Sequence, residues 1–240
     1  MSRPAPATFV SAMRLAAGRT LRQLVVGLMA LAGLLPEAAS AEATVKEVTS
    51  PGGIRAWLVE DHSVPLYAIQ FAFIGGSTRE PNGKEGLESV LAVMLLEGAG
   101  DDDGGKFKEK LARNSVKLSF SASRDALIGT MQGLTKRRSE AVSLLSAAIN
   151  EPRFDPETLS RVRAQTLADL AFADRHPRSL AINDWYARAF AGHSYARRAE
   201  GTSDSIAGIV KDDLDRFRRE LLSCASLRVV AVGDLDAASL

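Results

Sequence analysis

Apolar and polar residues alternate with a period of two in several short stretches of this chain and with a helical period in longer ones. Residues 45–49, 55–60, 67–73, 116–122, 126–134 and 227–232 read as strands, by alternation or as short apolar runs enriched in β-branched and aromatic residues. Pro51-Gly52-Gly53 predicts a turn that makes the first two strands a hairpin. Arg124-Asp125 is the candidate turn of a second hairpin. Between residues 140 and 149, Ala141, Leu144, Leu145, Ala148 and Ile149 recur at i, i+3, i+4, i+7 and i+8, a stripe suited to packing on a sheet. Asp155-Pro156 opens the next helix, with Asp at the N-cap and Pro at N1, where its missing N–H costs nothing. Leu159, Val162, Leu170 and Ala173 form its apolar side, and Pro177 ends it. A third helix spans 179–191 up to Gly192, and a fourth spans 212–222 with Leu214, Phe217 and Leu221 inward. Asp101-Asp102-Asp103-Gly104-Gly105 reads as a solvated loop; it lacks the spacing and closing Glu of a calcium-binding EF-hand. The pattern predicts one α+β domain from residue 42 to 240, an antiparallel-rich six-stranded sheet with helices packed on one face.

The N-terminus follows a different pattern. Arg3, Arg14, Arg19 and Arg22 precede any acidic residue, and Leu24 to Leu35 is an apolar run of 12 residues. Ala39-Ser40-Ala41 then supplies a small-x-small cleavage site. The apolar run is shorter than the ~20 residues a membrane span needs. Residues 1–41 are therefore expected to be a secretory signal cut after Ala41, with Met13 as an alternative start; an uncleaved inner-membrane anchor is the other reading. Without that leader the chain keeps 26 basic and 28 acidic residues, a net charge of −2. Such a balance does not point to nucleic acid. Cys224 is the single cysteine, which excludes an internal disulfide framework and a cysteine-based zinc cluster. Lying just before an apolar run, its thiol is expected to be buried. A leader with no disulfides fits a bacterial periplasmic protein.

The chemistry turns on the stretch Gly86-Leu87-Glu88-Ser89-Val90-Leu91-Ala92-Val93-Met94-Leu95-Leu96-Glu97-Gly98. It resembles the zinc helix of the pitrilysin-type (M16, insulinase-like) metallopeptidases, whose core reads H-x-x-E-H. There two His at i and i+4 hold Zn²⁺ and the Glu works on the attacking water. The matching positions here are Ser89, Ala92 and Val93. Serine is a poor zinc ligand, and Ala and Val neither bind metal nor take a proton. Further segments carry the resemblance over residues 45–236. Glu60 to Pro65 looks like the family's E-x-H-x-x-P turn, and Gly75 to Pro81 with Lys84 to Leu87 like its G-S-x-x-E-P…G-L approach to the helix. Gly192-His193-Ser194-Tyr195, Gly201-Thr202, Ile206 and Asp212-Asp213-Leu214 resemble its H-P-Y-G…G-T…I…D-L segment. Val229 to Asp236 resembles its V-V-G-D-x-D close. The third zinc ligand of active relatives, a Glu, matches Asp169, one methylene shorter and without partner ligands.

Two other sites are weighed by spacing. None of His62, His176 and His193 has a second His or a carboxylate at i+3 or i+4 on a convincing helix, so they do not make a metal site; His176 suits a helix C-terminus. Ser89 lacks a nearby base and the G-x-S-x-G elbow of a serine nucleophile. The resemblance therefore implies a pseudo-peptidase that binds no metal or cofactor, zinc being held by a partner. It implies an H-x-x-E-H-bearing M16 subunit as partner, the two enclosing extended peptides in the periplasm. Ser119, Phe120, Ser121, Ala122 and Ser123 match the strand against which active members lay substrate. A free edge there would offer main-chain N–H and C=O groups to a peptide; a strand paired on both sides would not. Family subunits contain two such domains in tandem, so the resemblance implies either a truncated product or fragment, or a half-unit completed by another polypeptide. The remaining readings are a truncated remnant without function, a metal-free peptide-binding or chaperone module, and a peptidase with a relocated site.

Overall fold

The computed structural model describes residues 44–238, which form one compact unit; the expected leader lies outside them. The described residues form eight strands: β1 Lys46–Thr49, β2 Arg55–Glu60, β3 Leu66–Ile74, β4 Gly98–Ala99, β5 Asp102–Asp103, β6 Lys117–Ala122, β7 Ala126–Leu134 and β8 Leu227–Gly233. The helices are α1 Leu87–Met94, α2 Gly104–Arg113, α3 Arg138–Asn150, α4 Pro156–Ala173, α5 Pro177–Ala189, α6 Ser203–Ala207 and α7 Lys211–Leu221. Six strands form the main sheet in the order β1-β2-β8-β3-β7-β6, and β4 and β5 make a separate two-stranded ladder. β8 enters between β2 and β3, parallel to β2 and antiparallel to β3, while the remaining pairs are antiparallel. This is the α+β architecture read from the sequence.

The alternation of each strand sorts its side chains onto two unlike faces. Leu58, Tyr67, Phe71, Phe73, Leu127, Met131 and Ala231 are buried beneath helices. On the same face Gly129 lies under the ring of Phe71: a Cβ there would stand 2.1 Å from its Cζ, so the glycine makes room for the aromatic. The helix layer brings Val90, Leu91 and Met94 of α1, Leu159, Val162 and Leu170 of α4, and Leu214, Phe217 and Leu221 of α7 into one core. Phe107 and Leu111 of α2 join Leu58, Tyr67 and Met131 in a second. The opposite face carries Trp57, Leu66, Ile74, Val230 and Val232, all exposed.

Three expectations need correction. The acidic stretch at 101–105 is not a loop: Asp102 and Asp103 pair with β4, and Gly104 and Gly105 begin α2. Asp103 is the N-cap, its carboxylate accepting from the Lys106 N–H at 2.9 Å, which offsets the poor helix propensity of two glycines. Cys224 does precede the apolar run, in a 3-10 turn between α7 and β8, but its thiol is exposed rather than buried. Asp155 does stand at the N-cap of α4, but its carboxylate bonds Arg153 Nε at 2.8 Å and makes no cap hydrogen bond. Among the described residues no helix is long and apolar enough to cross a membrane.

Candidate functional site

Helix α1 starts at Leu87 after Gly86 and is bound into the core by its apolar side. Ser89, Ala92 and Val93 fall at i, i+3 and i+4, so they share one face by helical geometry. Ser89 is half-buried, Ala92 buried and Val93 46% exposed, so the face runs from the packed interior to the surface. α4 packs against α1. Asp169 on α4 is exposed, and its carboxylate accepts from Gln165 Nε2 at 3.0 Å.

The donor set on this face is one hydroxyl. A catalytic zinc takes three protein ligands from His, Asp, Glu or Cys. Among the described residues no three such side chains converge, so the residues present do not fit the ion. The histidines are apart: His62 Nδ1 lies 2.7 Å from Asp234 Oδ1, tying the exits of β2 and β8. His176 stands at the N-cap position of α5, not at a helix C-terminus as expected, and makes no side-chain cap hydrogen bond; its ring lies 4.3 Å from that of Phe172. His193 Nδ1 accepts from the Tyr195 N–H at 3.1 Å.

Beside the empty face lies a pair of buried carboxyl groups that sequence reasoning passed over. Glu80, 4% exposed, accepts the N–H groups of Gly86 at 3.0 Å and Glu88 at 2.7 Å, and so closes the N-terminus of α1. Burial raises its pKa to about 7 against those hydrogen bonds and the nearby Arg197. Glu88 is fully buried and neither oxygen has a hydrogen-bond partner. The N–H groups that favour its anion, on Ser77 and Ser123, are already committed to Ser123 O and Ala126 O. Burial first, and the Glu80 charge second, push the pKa of Glu88 up to about 8. A signal was present: Glu88 is the one charged residue within the apolar run from Leu87 to Leu96.

The strand beside this helix is β6, which α1 contacts, and β6 is the last strand of the sheet. One side pairs with β7 in the register Ser119↔Thr130 and Ser121↔Ile128; the other has no strand partner among the described residues. Phe120 and Ala122 are half-buried, and the Phe120 ring meets Phe71 edge-on at 5.9 Å; Ser119 and Ser121 are exposed. Ser123 differs from the other four, because it lies beyond the strand with its main chain engaged: its N–H bonds Ala126 O at 3.1 Å and its O accepts from Ser77 at 3.0 Å. The loop before α1 grips the rest of the turn, with Gly75 N to Asp125 O at 2.7 Å and Thr78 N to Arg124 O at 3.2 Å. Gly76 allows this approach: its φ is 49° and a Cβ would stand 2.4 Å from Ser123 O. An edge six residues long without a strand partner among the described residues leaves main-chain N–H and C=O groups that can pair with an added strand.

Comparison with known proteins places the chain in a family. The family described as Insulinase (Peptidase family M16) matches residues 55–203. A non-peptidase homolog, YmxG of Helicobacter pylori, is 30% identical over 176 residues, 73% of this chain and 41% of that protein. Cytochrome b-c1 complex subunit 1 of Bos taurus mitochondria is 20% identical over 177 residues, 74% of this chain and 37% of its own. Among solved structures, a peptidase M16 inactive domain from Pseudomonas fluorescens superposes with a TM-score of 0.77 at 23% identity, covering 81% of this chain and 48% of that one. Pitrilysin gives 0.69 at 18% identity, covering 84% and 22%. The chain thus spans about two-fifths of the length of the curated relatives it matches.

Proposed function

The chain belongs to the M16 (insulinase) peptidase family, and from that premise we propose that it is a non-catalytic member, a subunit that holds extended peptides for a zinc-bearing partner. The observation that carries this reading is the face of α1, where Ser89, Ala92 and Val93 stand at the spacing of H-x-x-E-H. A hydroxyl and two hydrocarbon side chains supply neither metal ligands nor a base for water. Asp169 alone does not compensate, since one carboxylate makes at most one of three ligands. The names of two relatives, a non-peptidase homolog and an inactive domain, support the same conclusion. No cofactor is expected in this chain; zinc belongs to the partner.

Two features support a binding role. β6 offers an unpaired edge from Lys117 to Ala122, and the loop around Gly76 fixes its far end. An extended peptide adding to that edge would gain main-chain hydrogen bonds without any metal. The uncovered sheet face, with Trp57, Leu66, Ile74, Val230 and Val232, supports a second polypeptide surface against this domain. That surface is either the second M16 domain or a partner subunit, in keeping with relatives about twice this length or more. The N-terminal leader supports placement in the periplasm, free after cleavage or held at the inner membrane.

Co-purification with an H-x-x-E-H-bearing M16 subunit tests the proposal. A stable complex that cleaves unstructured peptides faster than the partner alone, while this chain alone cleaves none, is the expected result. EDTA-sensitive cleavage by this chain alone would overturn it.

A further inference from the structure

We infer that the end of β6 carries a subsite for a peptide carboxylate next to a large apolar side chain, built by Arg124 and the aromatic shelf of Trp185, Tyr186 and Phe190. The inference deepens the peptide-binding reading and rests on it.

Arg124 follows β6 by two residues, in a turn whose carbonyls at Ser123, Arg124 and Asp125 are each held by the Gly75–Thr78 loop. From this fixed backbone its guanidinium carbon lies 3.6 Å from the centroid of the Tyr186 ring. Its Nε is buried and has no hydrogen-bond partner. The neighbouring carboxylate, Asp125, is engaged by the Tyr195 hydroxyl instead. A cation held on a ring face keeps its charge, since the ring attracts it without neutralising it. Arg124 is thus oriented and uncommitted.

The shelf behind it is equally unusual. α5 contributes no buried residue to the domain. Its rings pack on one another: Tyr186 stacks on Phe190 at 5.6 Å, and Trp185 meets both edge-on at 4.9 and 5.8 Å. Phe190 in turn meets Tyr195 at 5.2 Å. Trp185 remains 57% exposed, with Ile182 and Arg178 on the same flank at i−3 and i−7. Such an arrangement is a rigid apolar surface with a cation at its edge, where the pairing strand ends. An extended peptide on β6 advances ~3.3 Å per residue. Residues just past Ala122 therefore reach Arg124 and then the shelf. A guanidinium prefers a carboxylate to a carbonyl, because the hydrogen bonds are charge-assisted and can be bidentate. An exposed indole prefers a large apolar or aromatic side chain. The ligand class is an extended peptide carrying a carboxylate, from Asp, Glu or a free C-terminus, beside such a residue.

The chain has two tryptophans, so the full chain with Trp57→Phe leaves Trp185 as its only indole reporter. The probes are nine-residue Ser/Thr peptides containing Asp-Phe, Asn-Phe or Asp-Gly with amidated ends, and one ending in free Phe carboxylate. The Asp-Phe or free-carboxylate peptide is expected to shift Trp185 emission and bind about tenfold tighter than Asn-Phe; which of the two does so identifies the carboxylate source. Arg124→Gln should erase that preference. Trp185→Ala, a change at an exposed side chain that removes the reporter and is therefore read by titration calorimetry, should erase the preference of Asp-Phe over Asp-Gly. Backbone N-methylated copies of the peptides separate the two claims. Binding lost on methylation but indifferent to both variants would overturn the subsite and leave the edge-strand reading standing. No binding by any peptide would overturn both. An emission change that follows protein concentration rather than peptide would overturn the subsite and assign the shelf to a second copy of the chain.

Discussion

Helices α1 and α5 face opposite fates in one small domain. α1 buries six of its eight residues, yet the face that would bear chemistry holds only Ser89, Ala92 and Val93. α5 buries none, yet it carries the 57% exposed indole of Trp185 beside an uncommitted guanidinium. The contrast separates scaffold from chemistry. α1 is retained because Leu87, Val90, Leu91 and Met94 join the sheet to α4 and α7, a role independent of metal. On the proposed reading, what the surface offers a ligand is the edge strand and its end.

The largest effect that tests the contrast is Leu91→Ala. It removes a fully buried side chain from the core and should cost about 2–5 kcal/mol in denaturant unfolding. A cost below ~1 kcal/mol would mean that α1 is not the scaffold described.

The pH dependence of stability comes next. Glu80 and Glu88 have pKa values raised to about 7 and about 8 in the folded chain, well above the ordinary glutamate range. The folded state therefore binds more protons than the unfolded one between roughly pH 5 and 8, and stability falls as pH rises through that window. Above it both carboxylates are ionised and the slope vanishes. Glu88→Gln cannot ionise and should flatten the profile, with a gain over the parent on the order of 2–4 kcal/mol at pH 9. An unchanged slope in that variant would place the buried charge elsewhere.

Smaller effects belong to the exposed residues. Val93→Ser on the outer face of α1 should change stability by less than about 1 kcal/mol, because nearly half of that side chain is in water. Trp185→Ala should stay within about 0.5 kcal/mol in the same unfolding measurement. A larger loss would mean that α5 contributes to the core after all.

Much of the fold could be read from residue order, for definite reasons. Strands 55–60, 126–134 and 227–232 alternate or run apolar against a single helix layer, so local pattern and burial coincide. α3 and α7 were visible in the stripes of Ala141, Ala148, Leu214, Phe217 and Leu221. α2 was hidden, because Gly104 and Gly105 look like loop and the cap that offsets them is a neighbour's side chain. The edge position of β6 was open in the sequence, since it follows from β8 entering between β2 and β3 from more than 90 residues away. Of the site, Ser89, Ala92, Val93 and the strand 119–122 were legible from spacing. Ser123 lies just past the end of the strand, at a turn boundary where the pattern carries least information. Glu88 stood out as the one charge in an apolar run, but its pairing with Glu80 and the Arg124–Tyr186 contact join residues folded back by a turn or distant in sequence, and no local pattern encodes those pairings.

The measurement closest to the central claim is zinc content, by mass spectrometry of the native chain purified in the presence of zinc. It should be set beside a variant that restores the ligand set, Ser89→His, Ala92→Glu, Val93→His and Asp169→Glu. The account predicts no bound zinc in the parent and stoichiometric zinc in the variant, since only the side chains on a retained scaffold are missing. Stoichiometric zinc in the parent would contradict it, because the ligands would then lie away from the face of α1.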